Sequence, residues 1–141
     1  MAEPTTNRKD QYAVNVSVDG TKLGVFDVMT GGDADTTEVV YKPGGMVPQI
    51  SLGGIVTIAQ VVLSRLYDLA RDHDNMPWLL SRVGKGNVVI TKQPLDVDGN
   101  AYGKPLTYGG TLKRVTPPPV DSNTPDAAIL ELEVTPAGTI T

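Results

Sequence analysis

The chain has 141 residues and a mass of 14.9 kDa, the size of one ordinary domain, which argues against a two-lobed enzyme with a cleft between lobes. Hydrophobic residues at 40% and charged residues at 20% suit a folding chain; zero cysteines and one histidine exclude disulfides, thiolate metal sites, cysteine nucleophiles and a histidine-rich metal centre. A net charge of −4 disfavours a broad cationic surface for gripping phosphates.

Residues 1–10 are polar and carry no apolar run, so they are expected to form a flexible arm, neither signal peptide nor presequence. No segment approaches the roughly 20 apolar residues of a membrane-spanning helix. Valine occurs 18 times and threonine 15 times, in short runs separated by Gly, Pro, Asp and Asn, the punctuation of β structure. Alternation in Tyr12–Asp19 places Tyr12, Val14, Val16 and Val18 on one face of a strand. Asp19-Gly20 is a hairpin turn signal before a second strand over Leu23–Met29.

After the Gly31-Gly32 loop, Thr36–Lys42 reads as a strand stopped by Pro43-Gly44-Gly45, and Met46–Gly54 as turn-rich. Ile55–Leu63 is apolar on both sides and is expected to be one strand buried on two faces, one of them covered by another subunit. Helical spacing of Leu66, Leu69, Ala70 and His73, with Ser64 as cap, predicts a helix over 64–82, broken near Pro77. Strands resume at Asn87–Gln93, Leu106–Thr116 and Ala127–Val134, with an exposed proline connection between the last two. The predicted fold class is mainly β, a β-sandwich or split barrel of about seven strands with one α-helix. A single domain spans residues 11–138, and 139–141 form a short tail.

Each candidate for chemistry has an ordinary structural explanation. Asp96, Asp98 and Asn100 offer oxygen ligands but lack the distal glutamate of a calcium loop, so a hairpin turn explains them. Gly84-Lys85-Gly86 precedes a strand where a phosphate loop needs a helix. His73 lies beside Asp72 and Asp74 with no nucleophile in the pattern, and reads as a helix C-terminal residue. Asp33 with Asp35, or Glu131 with Glu133, pair acids without a cleft; the two glutamates alternate with Leu130, Leu132 and Val134 as a strand's wet face does. Trp78 is expected to pack into the core. No catalytic, cofactor-binding or metal-binding residues are assigned, and the expectation is that the protein is not an enzyme. What is left is a β-rich subunit whose free strand edge can join a neighbour and, with rotational closure, build a ring.

The order of motifs resembles the bacteriophage tail tube proteins, a family related to the tubes of contractile injection systems and type VI secretion. The resemblance runs from residue 11 to 138. Its carriers are Val18-Asp19-Gly20, Val25-Phe26-Asp27-Val28, Glu38–Gly45, Pro48–Gly54 with the strand to Arg65, the Trp78 segment, Tyr108–Val115, and Asp126–Val134 with Gly138. The family commonly has glycine after the arginine, where this chain has Leu66, and the turn at Asp98–Asn100 has a long extension to Pro105.

The resemblance implies a structural subunit of hexameric rings whose sheets join into one inner β-barrel. Rings would stack into a tube whose bore holds a tail-measuring protein and transiting DNA, with a tail sheath as a further partner. The location implied is the virion tail, assembled in the host cytoplasm. Alternatives are a baseplate or head–tail connector ring, or the inner tube of a contractile injection or secretion system. On this reading Lys42, Pro43, Gly44, Gly45, Met46, Val47, Pro48 and Gln49, with the N-terminal arm, make ring-to-ring contacts. Val14, Val16, Val18, Ile55, Ile58, Val61 and Leu63 are the apolar residues buried on assembly. Asp27, Glu38, Glu131 and Glu133 are candidate acids facing the bore, where like charge keeps a polyanion from adhering.

Overall fold

A computed structural model describes residues 6–137. The expected arm over 1–10 is thus described only from residue 6, and the expected tail at 139–141 lies outside the described residues. The chain is mainly β. Strands β1 (Tyr12–Val18), β2 (Thr21–Phe26), β3 (Val28–Thr30), β6 (Val61–Leu66), β7 (Asn87–Pro94), β8 (Leu106–Thr116) and β9 (Ile129–Pro136) form one antiparallel sheet, in the order β2-β1-β7-β8-β9-β6-β3. The remaining pair, β4 (Ala34–Tyr41) and β5 (Ile50–Ile58), forms a separate two-stranded hairpin.

The sheet closes because its two end strands are consecutive pieces of one segment. The β1–β2 hairpin turns at Asp19-Gly20 with Val18 opposite Thr21, and both turn residues have positive φ, as a two-residue type I′ turn requires. The Asp19 carboxylate accepts the Asn87 backbone N–H at 3.0 Å and pairs with Arg82, and these bonds hold its pKa below the usual aspartate value. Leu23 is an extra residue in β2, bulging the strand where Val16 faces Gly24 and Ser17 faces Lys22. At Asp27 the chain leaves β1 and begins to pair with β6: its N–H donates to the Ser64 carbonyl at 3.1 Å, and its carboxylate accepts from the Leu66 N–H at 3.2 Å. The single strand expected over Leu23–Met29 is therefore two, because one stretch of backbone satisfies two neighbours in turn.

Inward residues of every barrel strand fill the core. Val14, Val16, Val18, Leu23, Phe26, Val61, Leu63, Val88, Ile90, Leu112, Leu130, Leu132 and Val134 are buried, and Met76 and Leu79 of helix α1 (Met76–Ser81) join them. Trp78 packs half-buried against the same cluster, in agreement with the core reading.

The sequence reading needs further correction. Residues 50–54, read as turn-rich, open strand β5. Residues 55–63 are not one strand: Ala59 and Gln60 break it, Ile55 is 85% exposed in the hairpin, and Val61 and Leu63 lie inside the barrel. The Ala59 N–H bonds the Asp33 carbonyl at 2.8 Å, a last rung in register with the Ala34–Ile58 pair, and after Gln60 the chain enters β6 in the other sheet. The helix expected over 64–82 is also shorter. Ser64 belongs to β6; a π-helical turn, Leu69–His73, follows with Asp68 as its cap, and α1 begins only at Met76, with Pro77 in its first turn, where a missing N–H costs nothing.

The barrel also fixes where the hairpin leaves it. Gly31 and Gly32 both have positive φ; a side chain at Gly31 would overlap the carbonyl oxygen of Gln60, and one at Gly32 would stand 3.0 Å from the Tyr108 ring. Substituting Val61, at 0% exposure, tests the core assignment. Val61→Asp introduces an unpaired buried charge costing on the order of several kcal/mol. Urea unfolding followed by circular dichroism is expected to show loss of the cooperative transition; a wild-type midpoint would refute the burial.

Candidate assembly surface

The β4–β5 hairpin owes its two faces to its register. Tyr41 faces Ile50, Val39 faces Leu52 and Glu38 faces Gly53, but Thr36 faces Val56, so β5 carries one extra residue between Gly53 and Val56. That bulge sets Gly54 and Ile55 against a single position of β4 and brings Ile55 onto the same face as Ile50 and Leu52. One face therefore presents Val39, Tyr41, Ile50, Leu52 and Ile55 as a continuous stripe, each residue 47% to 85% exposed. The opposite face carries Glu38, Val40 and Ser51, and at its root Ile58 packs half-buried on the barrel core. Five adjacent large apolar side chains left in water exceed the scattered exposure of an ordinary surface and mark a face made to be covered. The free edges of the two strands add unpaired N–H and C=O groups alongside the stripe.

The eight predicted ring-contact residues, Lys42 to Gln49, form the tip joining β4 to β5; Met46 is fully exposed and Gly45 supplies a positive-φ turn. The seven apolar residues predicted to be buried on assembly divide. Val14, Val16, Val18, Val61 and Leu63 are consumed by the chain's own barrel, Ile58 is half-buried, and Ile55 alone stands free.

The four candidate acids are not brought together. Asp27 serves the bend between β2 and β3. On the outer wall, Lys113 is an extra residue in β8, so it and Arg114 both point outward beside β9. Glu133 pairs with Arg114 at 3.1 Å and Lys113 at 3.5 Å, and Glu131 pairs with Arg114 at 3.5 Å. Glu38 is the one of the four without a cation or backbone partner among the described residues.

The chemical candidates resolve as turns and contacts. The Asp96 carboxylate accepts the N–H groups of Asp98 and Asn100, both at 2.9 Å, closing the turn on itself. Lys85 and Gly86 donate backbone N–H groups to the Arg82 carbonyl at 3.1 and 2.8 Å. His73 Nδ1 lies 3.2 Å from the Tyr67 hydroxyl. A groove of about 390 Å³ on the outer wall is lined by Asn15, Val16, Ser17, Lys22, Gly24, Val89 and Thr91, with Lys22 its one ionisable side chain. No helix among the described residues is long and apolar enough to cross a membrane.

What the sequence reading missed is a buried ion pair behind this surface. Arg65 follows Val61 and Leu63 at the inward parity of β6 and is 3% exposed. Its guanidinium donates to the Leu23 and Val25 carbonyls of the bulged strand, lies 4.4 Å from the Phe26 ring centroid, and pairs with the buried carboxylate of Asp72 in the π-helical turn. Asp72 also accepts from the Asp68 N–H at 3.1 Å and from Arg71 at 3.3 Å. Burial pushes the Asp72 carboxyl up, but the Asp68 N–H, the Arg71 bonds and the Arg65 charge outweigh it and hold it below the usual value. Burial lowers the Arg65 guanidinium, against the opposing pull of Asp72. The sequence reading placed Arg65 in the expected helix; extending the inward parity of Val61 and Leu63 by one step was the signal that could have found it, and nothing local identifies its partner seven residues on.

Neither a protein-family model nor a curated protein sequence matches the chain. Solved structures do. A chain of the sheath–tube complex of the extracellular contractile injection system PVC, in its extended state, is 17% identical with a TM-score of 0.65, covering 97% of this chain and 90% of that one. The tube-terminating cap of the anti-feeding prophage is similar at 13% identity and TM-score 0.69, covering 100% and 93%. A chain of the anti-feeding prophage baseplate is similar at 18% identity and TM-score 0.60, covering 100% and 96%. The chain thus has a tail-tube-like fold, shared over its length with components of phage-tail-like injection systems.

Breaking the buried pair is expected to be costly. Asp72→Asn leaves Arg65 without its counter-charge and is expected to destabilise by about 3–5 kcal/mol, read from urea unfolding at pH 7. Because the folded carboxyl titrates below its unfolded value of about 3.9, its contribution is complete above that pH and is lost as pH falls through the folded value. The variant's stability deficit should shrink between pH 6 and pH 3; a constant deficit would remove the ion pair from the account.

Proposed function

We propose that the chain is a structural subunit of a phage-tail-like tube, built from stacked hexameric rings around a bore. The observation that carries this reading is the apolar hairpin stripe of Val39, Tyr41, Ile50, Leu52 and Ile55, which stands in water on a chain whose barrel core is otherwise complete. The shared fold with tube, cap and baseplate components of injection systems supports it. In the proposed tube the hairpin covers its stripe on the adjacent subunit, at about 25 cal/mol per Å² of apolar surface removed from water. Its tip, residues 42–49, and the N-terminal arm reach the next ring. Glu38, on the face opposite the stripe, is left for the bore, where an acidic wall passes a polyanion without holding it. DNA and a tail-measuring protein are the proposed contents, a sheath the proposed outer partner, and the virion tail, assembled in the host cytoplasm, the proposed location.

A second reading, a cap, baseplate or connector ring that does not elongate, is favoured by the likeness to the tube-terminating cap and the baseplate chain. Negative-stain microscopy of concentrated protein separates the two: rods support the tube, uniform single rings the cap. Leu52→Asp, on an exposed position, is expected to leave thermal unfolding within about 1 kcal/mol of wild type yet abolish rings and rods. Deleting residues 43–47 is expected to leave rings but stop their stacking; long rods from that variant would exclude the tip from ring-to-ring contact.

A further inference from the structure

Met29, Met46 and Met76 are the methionines among the described residues, and the fold treats them differently. Met76 is buried in helix α1 at 9% exposure, and Met29 of β3 is half-buried against the core cluster. Met46 stands at the tip of the hairpin, fully exposed. Gly44 and Gly45 lead into it, and the space a side chain would take at either is empty, so the backbone there is uncovered too. Met46 and Val47 are the large aliphatic side chains of a tip otherwise made of lysine, proline, glycine and glutamine.

We propose that Met46 is a site of reversible oxidation by hydrogen peroxide, and that its sulfoxide stops rings from stacking; the second half rests on the ring-subunit reading, in which the tip meets the next ring. A sulfur lone pair attacks one peroxide oxygen, the O–O bond breaks, and a proton passes from that oxygen to the other, which leaves as water. Sulfur gives up the two electrons that the peroxide gains, and a weakly polar thioether becomes a strong hydrogen-bond acceptor. The reaction needs access to the sulfur and water around the new oxygen, and of the three methionines Met46 offers both. At Met29 and Met76 the oxygen would be pressed among the apolar side chains of the core. At the tip it is hydrated, so the monomer keeps its fold. In a contact between tip and ring the same oxygen loses that water, and the contact weakens. Ring closure is untouched, because the stripe begins on the strands themselves, at the Tyr41–Ile50 rung. Tips inside a finished tube are covered, so the modification acts on free copies and on ring ends whose tips are still open.

Hydrogen peroxide is applied to the full chain in dilute solution, and peptide masses locate the added oxygen. Met46 is expected to gain it at least about ten-fold faster than Met29 and Met76; equal rates would overturn the site, whatever the protein assembles into. Protein oxidised at Met46 and not at Met29 or Met76 is then concentrated and imaged by negative stain. Rings without rods are expected, with rods restored by the pair of methionine sulfoxide reductases that together reduce both epimers. The Met46→Leu protein is compared with itself: peroxide is expected to leave its rods at their untreated length, and shortening there equal to that of wild type would place the effect elsewhere and overturn the switch. Rods of wild-type length from the Met46 sulfoxide would overturn the switch while leaving the tube reading intact. Untreated wild type that forms no rods at any concentration would overturn both.

Discussion

The Arg65–Asp72 pair is the constraint on which the outer parts of this protein depend. A guanidinium placed inside a β-barrel has to be neutralised and hydrogen-bonded, or the barrel loses more than it gains. Here the solution recruits three pieces of chain: the bulged β2 offers carbonyls, Phe26 offers its ring face, and the π-helical turn offers a carboxylate. The bulge at Leu23 turns two carbonyls toward one side chain, and Gly24, with φ of +94°, lets the strand bend there. The same interaction therefore explains why β2 is irregular and why a lone π-helical turn persists between a strand and a short helix.

The rest of the molecule divides between a barrel that completes itself and a hairpin that does not. At the β2–β3 bend the two ends of the sheet meet, with the Asp27 N–H bonded to the Ser64 carbonyl and Arg65 meeting the Leu23 and Val25 carbonyls of the end strand. The hairpin has the reverse character, with apolar side chains and strand edges both open to solvent. An isolated two-stranded hairpin is marginal in water, so its apolar composition makes physical sense only with a partner. On the proposed reading, function lies where the monomer is least satisfied.

Much of this was legible in the sequence. Strict alternation in β1, the alternation of Glu131 and Glu133 with Leu130, Leu132 and Val134 in β9, and the Asp19-Gly20 turn set strands and core face together, since period-two patterning leaves one choice of inward residues. The errors cluster where pattern is degenerate. Ile55–Leu63 is uniformly apolar, and an unbroken apolar run looks the same whether it crosses one sheet or passes from a hairpin to a barrel. The break at Ala59-Gln60 comes where pairing passes from β4 to β9 and β3, a change of partners that no local signal encodes. The segment 42–49 was readable as a loop from Pro43-Gly44-Gly45, but that it crowns a long hairpin depended on seeing β5 begin at Ile50. Glu131 and Glu133 read as free acids because their partners Lys113 and Arg114 share a face only through a bulge.

The close approach at Gly31 sets the angle at which the hairpin departs, because a backbone with no room for a methyl group has few ways to turn. In any closed circle of identical copies that angle is repeated at every junction, and a small change at each one accumulates around the circumference. The bore's radius would then be governed less by the residues lining it than by a tight backbone joint at the base of each arm.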